Sequence, residues 1–443
     1  MTDQNTAPSD PRPIAVVGLG YIGLPLALAL AAEGHRVIGV DTDPAVRRAV
    51  EDGSPLFHEP GVAEALAATP ATSFTVSDRL PDVPPQAVVI CVGTAVTPDT
   101  KQPDLCHLRA AAAHVADHLA DDTLVVVRST VSVGTCRDTV LPLLAAKVDQ
   151  PLLAFCPERT IQGVALREIR SLPQVIGGID PRSTRRARDL LAALCPDQVE
   201  VSSIEAAEMV KLVCNAHTDL IYGFGNEIAL LAEGVGLDAH EVIAAANMRY
   251  PRPDLSRPGF VGGSCLVKDP YLLMEAGRAG GHPAPMVAAA RAVNESVPHH
   301  AVGRVVAELA ERGTPLAEAT VTVCGVAYKG RPETDDVRGS AAIEVAKALR
   351  GRVRSLRAHD FVVDDARIAS LGYEPTGLDD GLADADAVIV LTDHPGYRDL
   401  TADRLLAAAA KHPVVFDMWG IAGTELSGPA EQDELTYLRL GRG

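Results

Sequence analysis

IAVVGLGYIG, residues 14–23, is the stretch whose reading decides the fold. Ile14–Val17 is an apolar run of strand length, and Gly18, Gly20 and Gly23 follow it at GxGxxG spacing, with Tyr21 and Ile22 between the last two. In this pattern the first glycine permits a tight turn, the second lets a pyrophosphate approach the backbone, and the third lets the following helix pack on the strand. The phosphate charge then sits at a helix N-terminus. A second apolar run, Arg36–Val40, ends in Asp41, where a carboxylate bonds the adenosine ribose diol and repels a 2′-phosphate. NAD is therefore favoured over NADP. The plainer alternative is an ordinary βα turn followed by a surface aspartate.

Strand-like runs continue outward from this opening: Ala87–Val92, Thr123–Val127 and Leu152–Phe155, alternating with Ala- and Leu-rich helical stretches to about Val201. The alternation predicts a parallel α/β sheet. The pattern then changes to SSIEAAEMVKLVCNAHTDLIYGFGNEIALLAEGVG, a proline-free run with apolar residues at helical spacing. It predicts one long helix, capped by Ser202 or Ser203 and closed near Gly234, with further helical stretches to about Arg312. Such a helix is either the core of one domain or a spine at a subunit interface. From Ala319 a second strand-first block begins with VTVCGVAY, followed by a helix over Ser340–Leu349 and the strands VRSLRAHD, AVIVLTD and PVVFDM. No GxGxxG follows its first strand. The expected class is α/β, with two Rossmann-like doubly wound domains joined by a long central helix and a small helical domain.

At 443 residues the chain exceeds what one core supports. A net charge of -18 opposes nonspecific binding to nucleic acid or to an anionic membrane, since both need a cationic surface. No charged-then-apolar leader opens the chain and no apolar run approaches the ~20 residues of a membrane span, so a cytosolic protein is expected. The eight cysteines form no CxxC pair and no Cys/His cluster at metal-ligand spacing, so neither a disulfide framework nor a metal site is expected.

One cysteine stands apart. GFVGGSCLVKDP, residues 259–270, places Cys265 between a glycine-rich turn and the pair Lys268–Asp269. It reads as a nucleophile or as a small apolar filler, and spacing alone leaves both open. On the long helix Glu208, Lys211 and Asn215 fall at i, i+3 and i+7, along one face. A lysine among apolar neighbours is paired, functional or turned to solvent. Thr130 in VVVRSTVSVGT and Glu158 in LLAFCPER follow strand ends, where doubly wound sheets build their sites; otherwise each is a cap or turn residue.

Taken in order, GLGYIG, RSTVSVGT, CPER, EMVKLVCNA, GGSCLVKDP and GVAYKGRPETDDVRGS resemble the motifs of the UDP-glucose/GDP-mannose dehydrogenase family of nucleotide-sugar 6-dehydrogenases, from Ile14 to about Gly420. The resemblance implies a four-electron oxidation of a C6 alcohol to a carboxylate, with two NAD+ reduced in turn. It implies that Cys265 traps the aldehyde as a thiohemiacetal that becomes a thioester, its thiolate favoured by Lys268 and by a helix opening around Asp269. Lys211 and Asn215 would hold the C6 oxygen and stabilise its developing charge, and Asp269 would position water or act as base. Thr130 and Glu158 would orient the hydrolytic water, with Glu158 as general base. Substrate contacts are implied for Glu158, Lys211, Asn215, Gly262, Lys329 and Arg252, the last donated to a neighbouring subunit. Cofactor contacts are implied for Gly18, Gly20, Tyr21, Ile22, Gly23, Asp41, Thr94, Thr130, Lys268 and Arg338.

The organisation implied is a disordered tail (1–12), an NAD-binding Rossmann domain (13–202), a central helical dimerisation domain carrying the cysteine loop (203–315) and a nucleotide-sugar-binding Rossmann-like domain (316–443). The expected partners are a nucleotide sugar and a second copy of the chain, not nucleic acid or membrane. CPER, Gly163 and PQVIGG are more similar to the UDP-N-acetylhexosamine branch, whereas GGSC-x-x-KD is more like the UDP-glucose branch. An N-acetylhexosamine is the expected sugar. The loop Lys329–Asp335 is about two residues longer than the usual family form, and Val133 and Thr218 also depart from it. UDP-glucose 6-dehydrogenation and an NAD-retaining epimerisation are the alternatives; a β-hydroxyacid dehydrogenase needs no thiol.

Overall fold

The structure is a computed structural model that describes residues 12–251, 254–422, 426, 430 and 434–442. Arg252 and residues 1–11 of the expected tail lie outside the described residues. At the end of that expected tail the Arg12 guanidinium donates twice to the Asp122 carboxylate, at 2.9 and 2.7 Å. The described residues form two compact units, Met1–Cys214 with Tyr271–Pro283 and Asn215–Pro270 with Ala284–Gly443.

In the first unit, eight strands form one sheet: β1 (Ile14–Val17), β2 (Val37–Val40), β3 (Phe74–Ser77), β4 (Ala87–Ile90), β5 (Leu124–Val127), β6 (Leu152–Phe155), β7 (Gln174–Gly178) and β8 (Gln198–Glu200), in the spatial order β8-β7-β6-β5-β4-β1-β2-β3. Along β1, Ile14 and Val16 enter one apolar cluster while Ala15 and Val17 enter another. A strand covered on both faces reads as a continuous apolar run, which is why the opening stretch shows no polar alternation. Because β1 lies between β4 and β2, the strand order reverses at its carboxyl end, the place where such sheets bind ligands.

The sheet is parallel, as the alternation predicts, except at one pair. β7 runs antiparallel to β6, with Ala154 opposite Gly178 and Phe155 opposite Gly177. The connection from Cys156 to Pro173 holds a single helix of 7 residues, about 10 Å long, and does not carry the chain back across the sheet. The chain re-enters at the same end of the strands from which it left. One consequence is that Glu158 and Gln174, on either side of that connection, face the same end of the sheet.

In the second unit, β9 (Thr320–Cys324), β10 (Ser355–His359), β11 (Glu374–Pro375), β12 (Ala387–Val390), β13 (Val414–Asp417) and β14 (Thr436–Arg439) form a parallel sheet in the order β11-β10-β9-β12-β13-β14. Ala387 and Ile389 of β12 face one cluster and Val388 and Val390 the other. This sheet repeats the device of the first. Gly325 after β9 has φ +91°, as Gly18 after β1 has +93°. Asp360 after β10 accepts Val326 N–H at 2.7 Å, as Asp41 after β2 accepts Leu19 N–H at 2.9 Å. The sequence GVAYKG therefore stands where GLGYIG stands, with Ala327 in place of the middle glycine.

Helix α1 spans Gly23–Ala32 and the long helix α2 spans Ile204–Gly234, 31 residues. Ser203, not Ser202, caps α2, its hydroxyl accepting Ala206 N–H at 3.2 Å. Further helices are α3 (Ala239–Asn247), the short α4 (Gly263–Leu266), α5 (Asp269–Ala279), α6 (Pro285–Glu311) and α7 (Ala341–Leu349). Val297, Ala301, Val305 and Leu309 of α6 pack into the core of the second unit. No helix of the described residues is long and apolar enough to cross a membrane.

Candidate functional site

The glycine turn after β1 behaves as its spacing requires. A Cβ on Gly18 would meet the Cys91 carbonyl at 3.0 Å, and one on Gly23 would lie 1.7 Å from the Gly18 carbonyl oxygen. On Gly20 it would meet nothing within 4 Å, so that glycine leaves the backbone open on its outer side. Ile22 precedes α1 and supplies no side-chain cap, and the Tyr21 ring rests 4.5 Å from that of Phe57. The Asp41 carboxylate accepts Leu19 N–H and Asp43 N–H, both at 2.9 Å. A carboxylate has about four lone-pair sites, so these two bonds aim it while leaving room for a diol. An open glycine backbone, an uncapped helix start and an aimed carboxylate fit a dinucleotide.

Two loops at the same end of this sheet are tied together. Thr94, beyond β4, donates its hydroxyl to the Thr130 carbonyl at 2.6 Å. The loop that carries Thr130 is held from α2, where the buried Glu208 accepts Gly134 N–H at 2.6 Å and Cys136 N–H at 2.8 Å. Glu208 thus shares a helix face with Lys211 but is committed to backbone. Glu158, beyond β6, is buried; one oxygen accepts from the Arg128 guanidinium at 2.5 Å and the other accepts Arg159 and Thr160 N–H at 2.7 and 2.9 Å. Burial alone would raise its proton affinity, but the charge of Arg128, its hydrogen bond, the Thr160 N–H and the Lys211 ammonium outweigh this and hold the carboxyl below the usual glutamate value.

In the second unit Cys265 lies on α4 with its side chain exposed. The turn before it needs glycine for close approach: a Cβ on Gly262 would lie 2.3 Å from the Gly339 carbonyl, and one on Gly263, at φ +88°, would press the Tyr328 ring at 2.8 Å. Asp269 is fully buried. It accepts from the Asn215 amide at 2.5 Å and ion-pairs with the Lys268 ammonium at 2.7 Å. Lys268 and Asn215 are thereby both engaged by one carboxylate. Arg338 donates to Asp336 twice, at 2.8 and 2.7 Å, and the Lys329 ammonium lies 5.4 Å from the centre of the Tyr328 ring. Of the proposed site residues, Thr94, Thr130, Glu158 and Lys211 belong to the first unit, and Asn215, Gly262, Cys265, Lys268, Asp269, Lys329 and Arg338 to the second.

A buried polar network that the sequence reading did not single out anchors the cysteine loop at both ends. Asn226 of α2 donates to the Gly259 carbonyl at 2.9 Å and accepts Gly259 N–H at 2.8 Å. Arg291 of α6 donates to the Leu266 carbonyl at 2.8 Å, one residue beyond the thiol, and to Asp219 at 2.7 Å. Asn294 joins the two, donating to Asp219 and accepting from Asn226, both at 2.8 Å. The available signal was helical spacing: Asp219 and Asn226 at i, i+7, and Arg291 and Asn294 at i, i+3, each on an apolar helix. Arg128 was also missed, although it sits within the quoted RSTVSVGT.

Residues 12–195, 205–296 and 322–424 match in turn the NAD binding, central and UDP binding domains of the UDP-glucose/GDP-mannose dehydrogenase family. The chain is 32% identical over 412 residues to a UDP-N-acetyl-D-mannosamine dehydrogenase of Pyrococcus horikoshii, covering 91% of this chain and 94% of that one. It is 33% identical over 412 residues to an NDP-N-acetyl-D-galactosaminuronic acid dehydrogenase of Ralstonia nicotianae, covering 89% and 94%. A solved structure of the UDP-D-ManNAc dehydrogenase from Pyrococcus horikoshii superposes with a TM-score of 0.87 at 30% identity, over 97% of this chain and 99% of that chain.

Proposed function

Because this chain belongs to the UDP-glucose/GDP-mannose dehydrogenase family, whose members are NAD-dependent nucleotide-sugar dehydrogenases, we propose that it oxidises the C6 alcohol of a UDP-N-acetylhexosamine to the carboxylate through a covalent bond to Cys265. The observation that carries the reading is an exposed thiol on a short helix whose loop is anchored at both ends, three residues from the ion pair Lys268–Asp269. An exposed cysteine on a fixed loop suits nucleophilic attack better than packing. The relatives named for N-acetylated sugars, and the CPER signature, favour an acetamido sugar over glucose.

NAD, when bound, accepts a hydride from C6 in each of two oxidations. Gly18, Gly20, Tyr21, Ile22, Gly23 and Asp41 would hold its adenosine and pyrophosphate, with Thr94, Thr130, Lys268 and Arg338 as further contacts. Lys211 and Asn215 stabilise the negative charge that develops on the C6 oxygen when its proton leaves. Cys265 Sγ then adds to the aldehyde carbon. Loss of the second hydride leaves a thioester, and water adds to it, breaking the C6–Sγ bond to give the carboxylate and regenerate the thiol. Thr130 and Glu158 orient that water, with Glu158 as its general base, while Asp269 holds Asn215 and Lys268 in place. Lys329, Gly262 and Arg252 serve the nucleotide sugar, Arg252 across a subunit boundary.

The same reading makes the protein at least a homodimer of the cytosol. Phe224 and Leu231 of α2, Val235 and Leu237 of the turn after it and Val242 of α3 expose apolar surface that a second copy would cover. Eight free cysteines suit a reducing compartment.

A panel of UDP and GDP sugars, each incubated with NAD+ while NADH and acid are quantified, tests the reading. Two NADH per sugar from a UDP-N-acetylhexosamine are expected. One NADH indicates a simple alcohol dehydrogenase, none an epimerase, and preference for UDP-glucose rejects the acetamido assignment.

A further inference from the structure

Arg128 directly follows β5, and only 3% of its surface is exposed. One terminal nitrogen of its guanidinium donates to Glu158 at 2.5 Å and the other to the Gln174 side-chain oxygen at 3.2 Å. Gln174 opens β7, and its amide nitrogen donates to the Ile169 and Leu172 carbonyls at 3.2 and 3.1 Å, which fixes the oxygen toward Arg128. The Arg128 Nε has no partner among the described residues, so these two bonds alone aim the fork. Guanidinium, carboxylate and amide come from the ends of β5, β6 and β7, and they converge because β7 re-enters the sheet antiparallel. A buried ion pair is a poor source of stability compared with apolar packing, so its presence calls for another use.

We propose that Arg128 is a positioning residue, which keeps the Glu158 carboxylate ionised and in one orientation for hydrolysis of the thioester. This rests on the role given to Glu158 above. The charged and titratable groups facing Glu158 are Arg128 from β5, Lys211 from α2, the Cys91 thiol beyond β4 and, beside Arg128, the Cys156 thiol beyond β6. Burial pushes both thiols up to about 12, so they carry no charge at neutral pH. The Arg159 guanidinium is turned to the Pro173 carbonyl. Arg128 is therefore the cation bonded directly to the carboxylate. Without it, burial of Glu158 is opposed only by Lys211 and two N–H groups, and its proton affinity rises. An opposite charge at this range shifts a carboxyl by about 1–3 pH units.

In the proposed steps the charge of Glu158 takes part in the hydrolysis and not in hydride transfer, and the test exploits that division. Arg128→Met and Arg128→Lys are assayed as full-length enzyme, with the sugar selected by the panel, from about pH 5.5 to 9. The first NADH burst, acid formation and the intact mass of the protein are followed together. For Arg128→Met the expected result is a normal burst, a sugar adduct accumulating on Cys265, and an acidic limb of acid formation moved up by about 1–3 pH units. Arg128→Lys, which keeps the charge, is expected to return the limb most of the way. An unmoved limb in folded Arg128→Met, an equal fall in both half-reactions at every pH, or a lysine variant as shifted as methionine overturns the proposal. Should Arg128→Met not fold, Gln174→Leu decides: it removes half of the anchoring and leaves the charge, so the adduct should accumulate, and normal turnover of the adduct overturns the proposal. A wild-type enzyme that yields no acid, or Glu158→Gln without an adduct, defeats the reading on which the proposal rests. A wild-type enzyme that passes with an unmoved limb defeats only the role of Arg128.

Discussion

Replacing Asn226 by alanine removes three hydrogen bonds at once: two that hold Gly259 and one that holds Asn294. Asn226 is fully buried, so water does not replace them. At about 1 kcal/mol net for each bond the loss is about 3 kcal/mol, rising toward about 5 kcal/mol because the Gly259 N–H and the Asn294 oxygen are stranded. The lone tryptophan reports the event. Trp419 packs on Gly259, where an added Cβ would lie 2.4 Å from its ring, and its indole donates to the Leu391 carbonyl at 3.0 Å. Urea unfolding followed by Trp419 fluorescence should show a lower midpoint with an unchanged slope. The loop that presents Cys265 loses its upstream anchor, so kcat should fall at least about tenfold, since a misplacement of 1 Å can cost about a hundredfold. The KM for NAD+ should change less than kcat, because the glycine turn and Asp41 belong to the other unit and only Lys268 and Arg338 of the cofactor contacts share the unit of Asn226. A midpoint within about 0.5 kcal/mol of wild type together with normal kcat would refute the reasoning.

Cys265→Ala should abolish acid formation, and Cys265→Ser should stall after the first oxidation; normal acid yield from the alanine variant, by product assay, sinks the covalent route. Gly20→Ala should fold normally, since nothing lies within 4 Å of the new Cβ, yet raise the KM for NAD+, whereas Gly23→Ala should destabilise the first unit by collision with the Gly18 carbonyl. Circular dichroism melts and NAD+ titration separate the two. Asp41→Asn should improve kcat/KM for NADP relative to NAD by about tenfold or more through loss of charge repulsion, measured by parallel steady-state kinetics. The depressed proton affinity of Glu158 stabilises the fold above the unfolded glutamate value of about 4.3, and this contribution should disappear as pH falls through the lower folded value. Unfolding curves taken at descending pH should show that loss in wild type and a shallower slope in Glu158→Gln.

The spacing of Gly18, Gly20 and Gly23, the apolar run before them and Asp41 after the second run were enough to read the first βα turn, because each depends on residues near in sequence. The limits of α2 were equally legible, since Ser203 and Gly234 act within a turn of their own helix. Cys265 stood out by its neighbours alone, and the motif order identified the family. Tertiary structure alone decided which polar groups are available for chemistry. Glu158 looked like a lone residue beyond a strand end until Arg128, 30 positions away in sequence, was found bonded to its carboxylate. Lys268 and Asn215 looked independent until Asp269 engaged both. The antiparallel entry of β7 was invisible because strand direction depends on where a connection ends in space, which local composition does not encode. Local spacing fixes turns, caps and periodicity through bonds of short reach. The protonation and aim of a buried side chain are set by charges brought together from distant strands, and those exist only once the chain has folded.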